Sequence, residues 1–301
     1  MTRFTSEAGD FRPVGGADLS GLGPGLGAGG SGTPAGLVLT APFACGYLGR
    51  ISATQVGFVP YFGDLVKING VVYQLPAAGV QASNTGTFVN QVGGQNLVAT
   101  TQYFVYAFNN AGTLALNFSS TGHTTSSTTG NSGIEIMNGN DAYSLVGMVF
   151  TDTSAQFQDG SFWHGVLSWF NRQAKTGVLN IANSSTTSVN AVYVGLVTGN
   201  CIMCNWGAEG VDAVLQGQFT TTTVGAIGSV GIGVDVTNAV ILNQFCFINS
   251  GSNLGNYAMS IFSYQPGEGA HNWVVNGYAS LNATASTLSN ENPSGYVRTR
   301  G

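Results

Sequence analysis

Between Lys175 and Arg298 the chain contains no lysine and no arginine. Residues 176–297 hold five carboxylates (Glu209, Asp212, Asp235, Glu268 and Glu291) and a single histidine, His271. Over the full length 7% of residues are charged, against roughly a quarter in an ordinary soluble domain. Solubility must then rest on Ser, Thr, Asn, Gln and backbone amides. Enzymes, nucleic-acid binders and membrane-surface proteins all use clustered charge, and this chain has almost none to cluster. Such a composition suits extracellular fibres and shells, where uncharged β-structure resists proteases and packs against copies of itself.

A length of 301 residues allows one large domain or two, each with a sizeable core. The 45 glycines, 17 phenylalanines and 43% hydrophobic content fit many short strands joined by tight turns. Eight basic against thirteen acidic residues leave a net charge of −5. That balance argues against DNA or RNA as a partner, because phosphate binding needs Lys/Arg stripes. Anionic membranes are excluded by the same reasoning.

Cys45, Cys201, Cys204 and Cys246 are too scattered for a disulfide framework. Cys201 and Cys204 form a C-x-x-C, but within Tyr193–Trp206, which reads as strand. Three residues of strand span about 10 Å, beyond the roughly 7 Å that a disulfide bridges. Buried small hydrophobes in a chain made in a reducing cytoplasm are the expectation. Met1–Asp10 has no apolar core segment, so no signal peptide is expected. The longest apolar run, Val236–Ile248, is interrupted by polar residues and too short to span a bilayer. A composition of extracellular type without an export signal points to a virion protein, assembled in the host cytoplasm and released by lysis.

Residues 1–40 stand apart. Gly15 to Gly36 has ten glycines in 22 residues, punctuated by Pro24 and Pro34. Such a segment cannot bury enough apolar surface to order itself. Ordering would cost about 1–2 kcal/mol per residue in backbone entropy, most for glycine. A partner, either a sister subunit or another virion protein, must supply that, through backbone hydrogen bonds and pockets for Phe4, Phe11, Leu19, Leu22, Leu26, Leu37 and Leu39. Arg3 and Arg12 would fix the register against acidic groups of the partner. The competing reading is an arm folded back on its own domain.

Beyond the arm the pattern is all-β. In residues 41–76, Asn69-Gly70 between Leu65–Ile68 and Val71–Tyr73 is a strong hairpin signal, since both central residues of a type I′ turn need positive φ. This region reads as a small β connector. Residues 77–175 and 176–301 then read as two β-sandwiches of jelly-roll type. Tyr103–Phe108 and Thr113–Phe118 form a hairpin with Leu114, Leu116 and Phe118 on one face. Residues 119–133 read as a long polar loop. No segment keeps a long 3.6-residue period, and no fixed repeat suggests a solenoid or propeller.

The stretch Tyr103–Arg172 includes Tyr103–His123, Gly133-Ile134-Glu135-Ile136, Leu145–Thr151 and Leu167-Ser168-Trp169-Phe170-Asn171-Arg172. As a set these segments resemble a module of tail-fibre and other virion structural proteins of tailed bacteriophages. The resemblance implies a β-rich, usually trimeric virion component without catalysis. It does not extend into residues 176–301.

Catalytic candidates are few. His123, His164 and His271 are far apart, with none at metal-ligand spacing to another. No cofactor is implied, and no nucleophile elbow, P-loop or zinc-protease helix occurs. His164 is expected to pack beside Phe162 and Trp163. Glu209/Asp212 and Asp152/Asp159 are the carboxylate pairs to weigh for glycoside cleavage, which needs a separation of about 5 or 6.5–9.5 Å beside a sugar platform. The ordinary reading of both pairs is loop capping. Trp163, Trp206, Tyr264 and Trp273 lie near Gly- and Asn-rich turns. There they could stack on a host surface glycan, or else belong to the core or a subunit interface.

The sequence thus points to a homotrimeric tail fibre. Residues 1–40 would anchor it to a tail adaptor or tube protein, and its C-terminal domain would meet the receptor through Trp206, Tyr264 and Trp273. The alternatives are a capsid-decorating or head-fibre protein, held by the major capsid protein, and a polysaccharide-cleaving spike. Deleting residues 2–36 should leave a soluble, folded body that no longer enters particles. Incorporation measured by immunoblot of purified virions checks this, and normal incorporation would place the anchor in residues 41–76.

Overall fold

The run Tyr103–Phe108 contains no charged or amide side chain, and the fold gives the reason: its strand is covered on both faces. In the computed structural model the described residues are 45–179, 185–186, 194–195, 201–221, 227–236, 242–248, 255–279, 286–287 and 294–299. Among them there is no helix. The protein is all-β. Arg3, Phe4, Phe11, Arg12, Leu19, Leu22 and Leu26, which the sequence suggests as anchoring residues, lie outside the described residues.

The chain opens with β1 (Tyr47–Ser52) and β2 (Gln55–Val59), then the hairpin β3 (Leu65–Ile68) and β4 (Val71–Gln74), then β5 (Val80–Ser83). Next come β6 (Thr87–Val89), β7 (Val92–Gln95), β8 (Gln102–Asn110), β9 (Thr113–Ser119), β10 (His123–Thr125), β11 (Glu135–Met137) and β12 (Asn140–Phe150). Three short strands follow: β13 (Asp159–Gly160), β14 (Trp163–His164) and β15 (Val166–Ser168). The remainder supplies β16 (Thr176–Val178), β17 (Ser185–Thr186), β18 (Val194–Gly195), β19 (Cys201–Asn205), β20 (Val211–Thr221) and β21 (Ile227–Val234). Last are β22 (Leu242–Ile248), β23 (Gly255–Tyr264), β24 (Gly269–Ala279), β25 (Ser286–Thr287) and β26 (Ser294–Thr299).

Hydrogen bonding sorts these into sheets. A three-stranded sheet runs β1-β2-β5, and an eight-stranded one runs β10-β11-β12-β8-β9-β6-β7 with β15 added on β12. A seven-stranded sheet runs β13-β14-β19-β24-β21-β22, with β18 on β24. The sheet opposite it runs β16-β26-β20-β25-β17, with β23 on β20.

Two turns show local sequence setting register. Asn69 and Gly70 sit at φ 50° and 78°, as a type I′ turn requires. The β8–β9 hairpin turns on Ala111 and Gly112 at φ 48° and 92°, and Asn109 accepts a hydrogen bond from the Gly112 NH at 2.8 Å. Leu114, Leu116 and Phe118 all meet the first core, as their alternation predicts. The polar stretch 119–133 is not all loop: β10 pairs with β11, His123 opposite Met137. A Thr-rich strand at the sheet edge, with no apolar alternation, gave no periodic signal to read.

Three cores result. The first gathers Leu48, Val56 and Phe58 from the three-stranded sheet with Val105, Ala107 and Phe118 from one face of the eight-stranded sheet. The strands read as a separate connector at 41–76 thus share their core with the following region. The second core lies between the two C-terminal sheets and holds Met203, Leu215, Ile232, Trp273 and Val297. The third covers the other face of the eight-stranded sheet: Phe104, Tyr106, Leu145, Met148 and Leu167 pack with Cys204 and Trp206. Alternate residues of β8 therefore go to different cores. The 175/176 boundary is stitched across, because β14 pairs in parallel with β19, Trp163 opposite Ile202.

In β12 the register slips between Leu145 and Gly147. That bulge keeps Leu145 and Met148 on one face and Val146 and Val149 on the other. Glycine is required there by space: a Cβ at 147 would lie 2.3 Å from Leu48 Cδ2 and 2.5 Å from the Leu167 carbonyl oxygen. Gly147→Ala should lower the unfolding free energy by about 1–3 kcal/mol, the usual cost of overpacking. Gly160→Ala, whose Cβ would meet nothing within 4 Å, should stay within about 0.5 kcal/mol of wild type. Urea denaturation of the two variants checks the pair.

Candidate functional site

In a chain with so little charge, the places where charge gathers are informative. Among the described residues the densest is the seam between the eight-stranded sheet and the C-terminal strands. β10 presents His123, whose Nδ1 is 2.7 Å from Glu135 Oε2 on the neighbouring β11. Its Nε2 lies 3.1 and 3.2 Å from the two carboxylate oxygens of Glu268, in the turn before β24. Both ring nitrogens face carboxylates, so only the imidazolium can donate at both. Thr125 gives Glu135 a further hydrogen bond.

Aromatic rings close around this group. The His123 ring centroid is 5.3 Å from both Phe104 and Trp169 and 5.9 Å from Trp206. Trp169 and Trp206 meet edge to face at 4.8 Å. The Arg172 guanidinium stands 4.3 Å above Trp169 and pairs with Glu209 at 3.1 Å. Glu209 in turn accepts from the Trp206 backbone NH at 3.2 Å and so holds the tight turn 206–209. The Trp206 indole donates to the Ser168 carbonyl at 3.1 Å.

The hydrogen bond to Glu268, then that to Glu135, outweighs burial and raises the His123 pKa above its ordinary 6.5. Glu268 moves the other way, held below its ordinary 4.5 chiefly by the hydrogen bond from His123. Burial, with the Glu268 and Glu135 charges, keeps the Tyr106 hydroxyl protonated well above the usual range.

A second, partly buried group gathers at the β13–β14 hairpin. Asp159 takes His164 Nδ1 at 2.9 Å and Lys175 Nζ at 2.7 Å. Burial would raise the Asp159 carboxyl, yet these two hydrogen bonds and the charges behind them bring it below its ordinary value. His164 Nε2 also reaches the Thr176 carbonyl at 2.9 Å. The sequence suggested only packing beside Phe162 and Trp163, whereas both ring nitrogens of His164 have hydrogen-bonding partners.

The residues read as possible glycosidase pairs are occupied locally. Asp152 caps its own loop, taking the Ser154 and Gln156 NH groups at 2.8 Å. Glu209 braces Trp206, and Asp212 faces Arg298 across the β20–β26 pairing. Cys201 and Cys204 are free thiols, and the Cys45 thiol donates to the Phe62 carbonyl at 3.4 Å. Burial pushes Cys201 up to about 12 and Cys204 likewise upward, which removes thiolate chemistry at pH 7.

The proposed receptor aromatics need correction. Trp206 and Trp273 are 1% and 0% exposed, and Tyr264 packs edge to face on Trp273 at 6.4 Å. A sugar needs an open ring face, and both indoles are enclosed in cores. Gly/Asn-rich turns suggested surface positions, but the Trp206 turn folds back over a sheet and Trp273 lies within β24 on its core-facing side, where burying an indole gains more than exposing it. The His123–Glu135–Glu268 group was missed because its members are far apart in sequence. The one available signal was the rarity of charge itself.

No protein-family model and no curated protein matches the chain. Among solved structures, infectious bursal disease virus strain Gx is similar at 12% identity and TM-score 0.30, over 85% of this chain and 70% of that one. The VP2 subviral particle of infectious bursal disease virus gives 12% and 0.27, over 85% and 74%. The insecticidal delta-endotoxin Cry8Ea1 of Bacillus thuringiensis gives 8% and 0.25, over 85% and 52%. At these TM-scores the likenesses carry no argument about this chain.

The seam has a definite pH signature. Because the His123 pKa is raised in the fold, its contribution is complete below about 6.5 and is lost as pH rises through the higher folded value. Glu268, lowered in the fold, contributes fully above about 4.5 and loses this as pH falls through its lower folded value. The thermal midpoint of the wild type should therefore fall between pH 5.5 and 8.5. His123→Gln should reduce that fall, as scanning calorimetry at the two pH values would register.

Proposed function

We propose that the protein is a non-enzymatic structural component of a bacteriophage virion: a homotrimeric tail fibre held to the particle by residues 1–40, with its C-terminal part directed toward the host surface. The observation that carries this reading is where the charge goes. The carboxylates of Glu135, Asp141, Asp152, Asp159, Glu209 and Glu268 all accept internal hydrogen bonds. They bind the all-β body together instead of lining a reactive cleft. The described surface beyond them carries few charges and is mostly Ser, Thr, Asn, Gln and apolar residues, suited to contact with other virion subunits. The resemblance of Tyr103–Arg172 to phage fibre modules favours the same reading. The receptor contact falls on C-terminal surfaces other than Trp206 and Trp273, with a host glycan as the proposed ligand.

Electron microscopy of virions carrying a tagged copy tests the placement. Label at the tail is expected, and label over the head would instead make this a capsid-decorating protein. Purified protein at micromolar concentration should also reduce phage adsorption to host cells. Undiminished adsorption would remove the receptor role.

A further inference from the structure

The six-stranded C-terminal sheet has one face in the second core and one face outside. Val297 and Ala213 point inward and are fully buried. Their neighbours point outward and fall into a row by strand pairing. Val178 of β16 lies opposite Tyr296 of β26, Tyr296 opposite Val214 of β20, and Val214 opposite Ile261 of β23. Directly paired residues share a face, so these four side chains cross four adjacent strands in one line. Val178, Tyr296 and Ile261 are 40%, 43% and 58% exposed. Single exposed apolar residues are ordinary, but a contiguous set marks a contact surface.

The flanking row identifies the occupant. Two residues along the same strands lie Thr176, Arg298, Asp212 and Ser263, again in register. Arg298 and Asp212 place one positive and one negative charge side by side, the cation toward the β16 edge and the anion toward the β23 edge. Among the described residues of these two rows the charges cancel, although the chain carries −5. Three copies turned with this face toward a shared three-fold axis would bring the cationic side of one toward the anionic side of the next, with no like charges opposed. A strongly basic or acidic partner would find no such match.

We infer that this outer face, centred on Tyr296 and Ile261, is the surface on which a second copy of the chain docks. The inference rests on the homotrimer reading and adds to it the strands that meet.

The test uses the full chain. Wild type, Ile261→Asp and Tyr296→Asp are compared by native mass spectrometry at micromolar concentration, with circular dichroism to follow folding. Trimeric wild type and folded, monomeric variants are expected. Phe62→Ser, which removes an apolar side chain 81% exposed elsewhere on the body, should remain trimeric. Should the aspartates prevent folding, Ile261→Thr keeps β-branching. It should raise the concentration of half-dissociation by about tenfold or more. Trimeric variants with an unchanged dissociation concentration would overturn the docking face while leaving the trimer intact. A monomeric wild type would overturn both, and would assign the face to another virion protein.

Discussion

The body depends on one sheet being covered twice. Val105 and Ala107 of β8 enter the first core, while Phe104 and Tyr106 of the same strand enter the third. A strand buried on both faces cannot carry solubilising residues, so its sequence is a continuous apolar run. Removing either cover would expose half of that run to water, at roughly 1.5–3 kcal/mol for each large side chain. The N-terminal three-stranded sheet and the Trp206 turn are the two covers, which makes the flanking segments parts of a single body.

Polar chemistry at the seam follows from that geometry. Hydrophobic burial brings two surfaces together without fixing how they sit. Charged groups that must find particular partners fix the register between them. His123 with Glu135 and Glu268, and Arg172 with Glu209, all cross or border the seam, and each is shielded by Trp169 or Trp206. The Asp159–His164–Lys175 group does the same on the β13–β14 hairpin. Scarce charge is concentrated where two apolar surfaces would otherwise slide.

How far the amino-acid order reveals this can be judged residue by residue. The all-β class, the Asn69-Gly70 turn and the Leu114/Leu116/Phe118 face could be read directly, because strand period and turn chemistry are local. β10 could not, since an edge strand of His and Thr carries no alternation. The burial of Trp206 and Trp273 escaped for another reason: whether a turn folds under a sheet, as at Trp206, or which face of a strand is covered, as at Trp273 in β24, is decided by partners distant in sequence. His123 and Glu268 are 145 positions apart, and no local pattern joins them.

That separation has a counterpart in the backbone. β16 pairs with β26, Thr176 opposite Arg298, and β26 continues onto β20. The sheet that closes the second core thus needs two strands lying more than a hundred residues apart, joined only after a long loop has closed. Such pairing makes folding slow and leaves β16 and β20 as open edges in the interval. On a ribosome the first sandwich can assemble while the second still awaits its last strand. The low charge that serves the finished body offers no electrostatic guard for those edges during synthesis. The newly made chain is therefore most prone to wrong association just before residues 294–299 arrive.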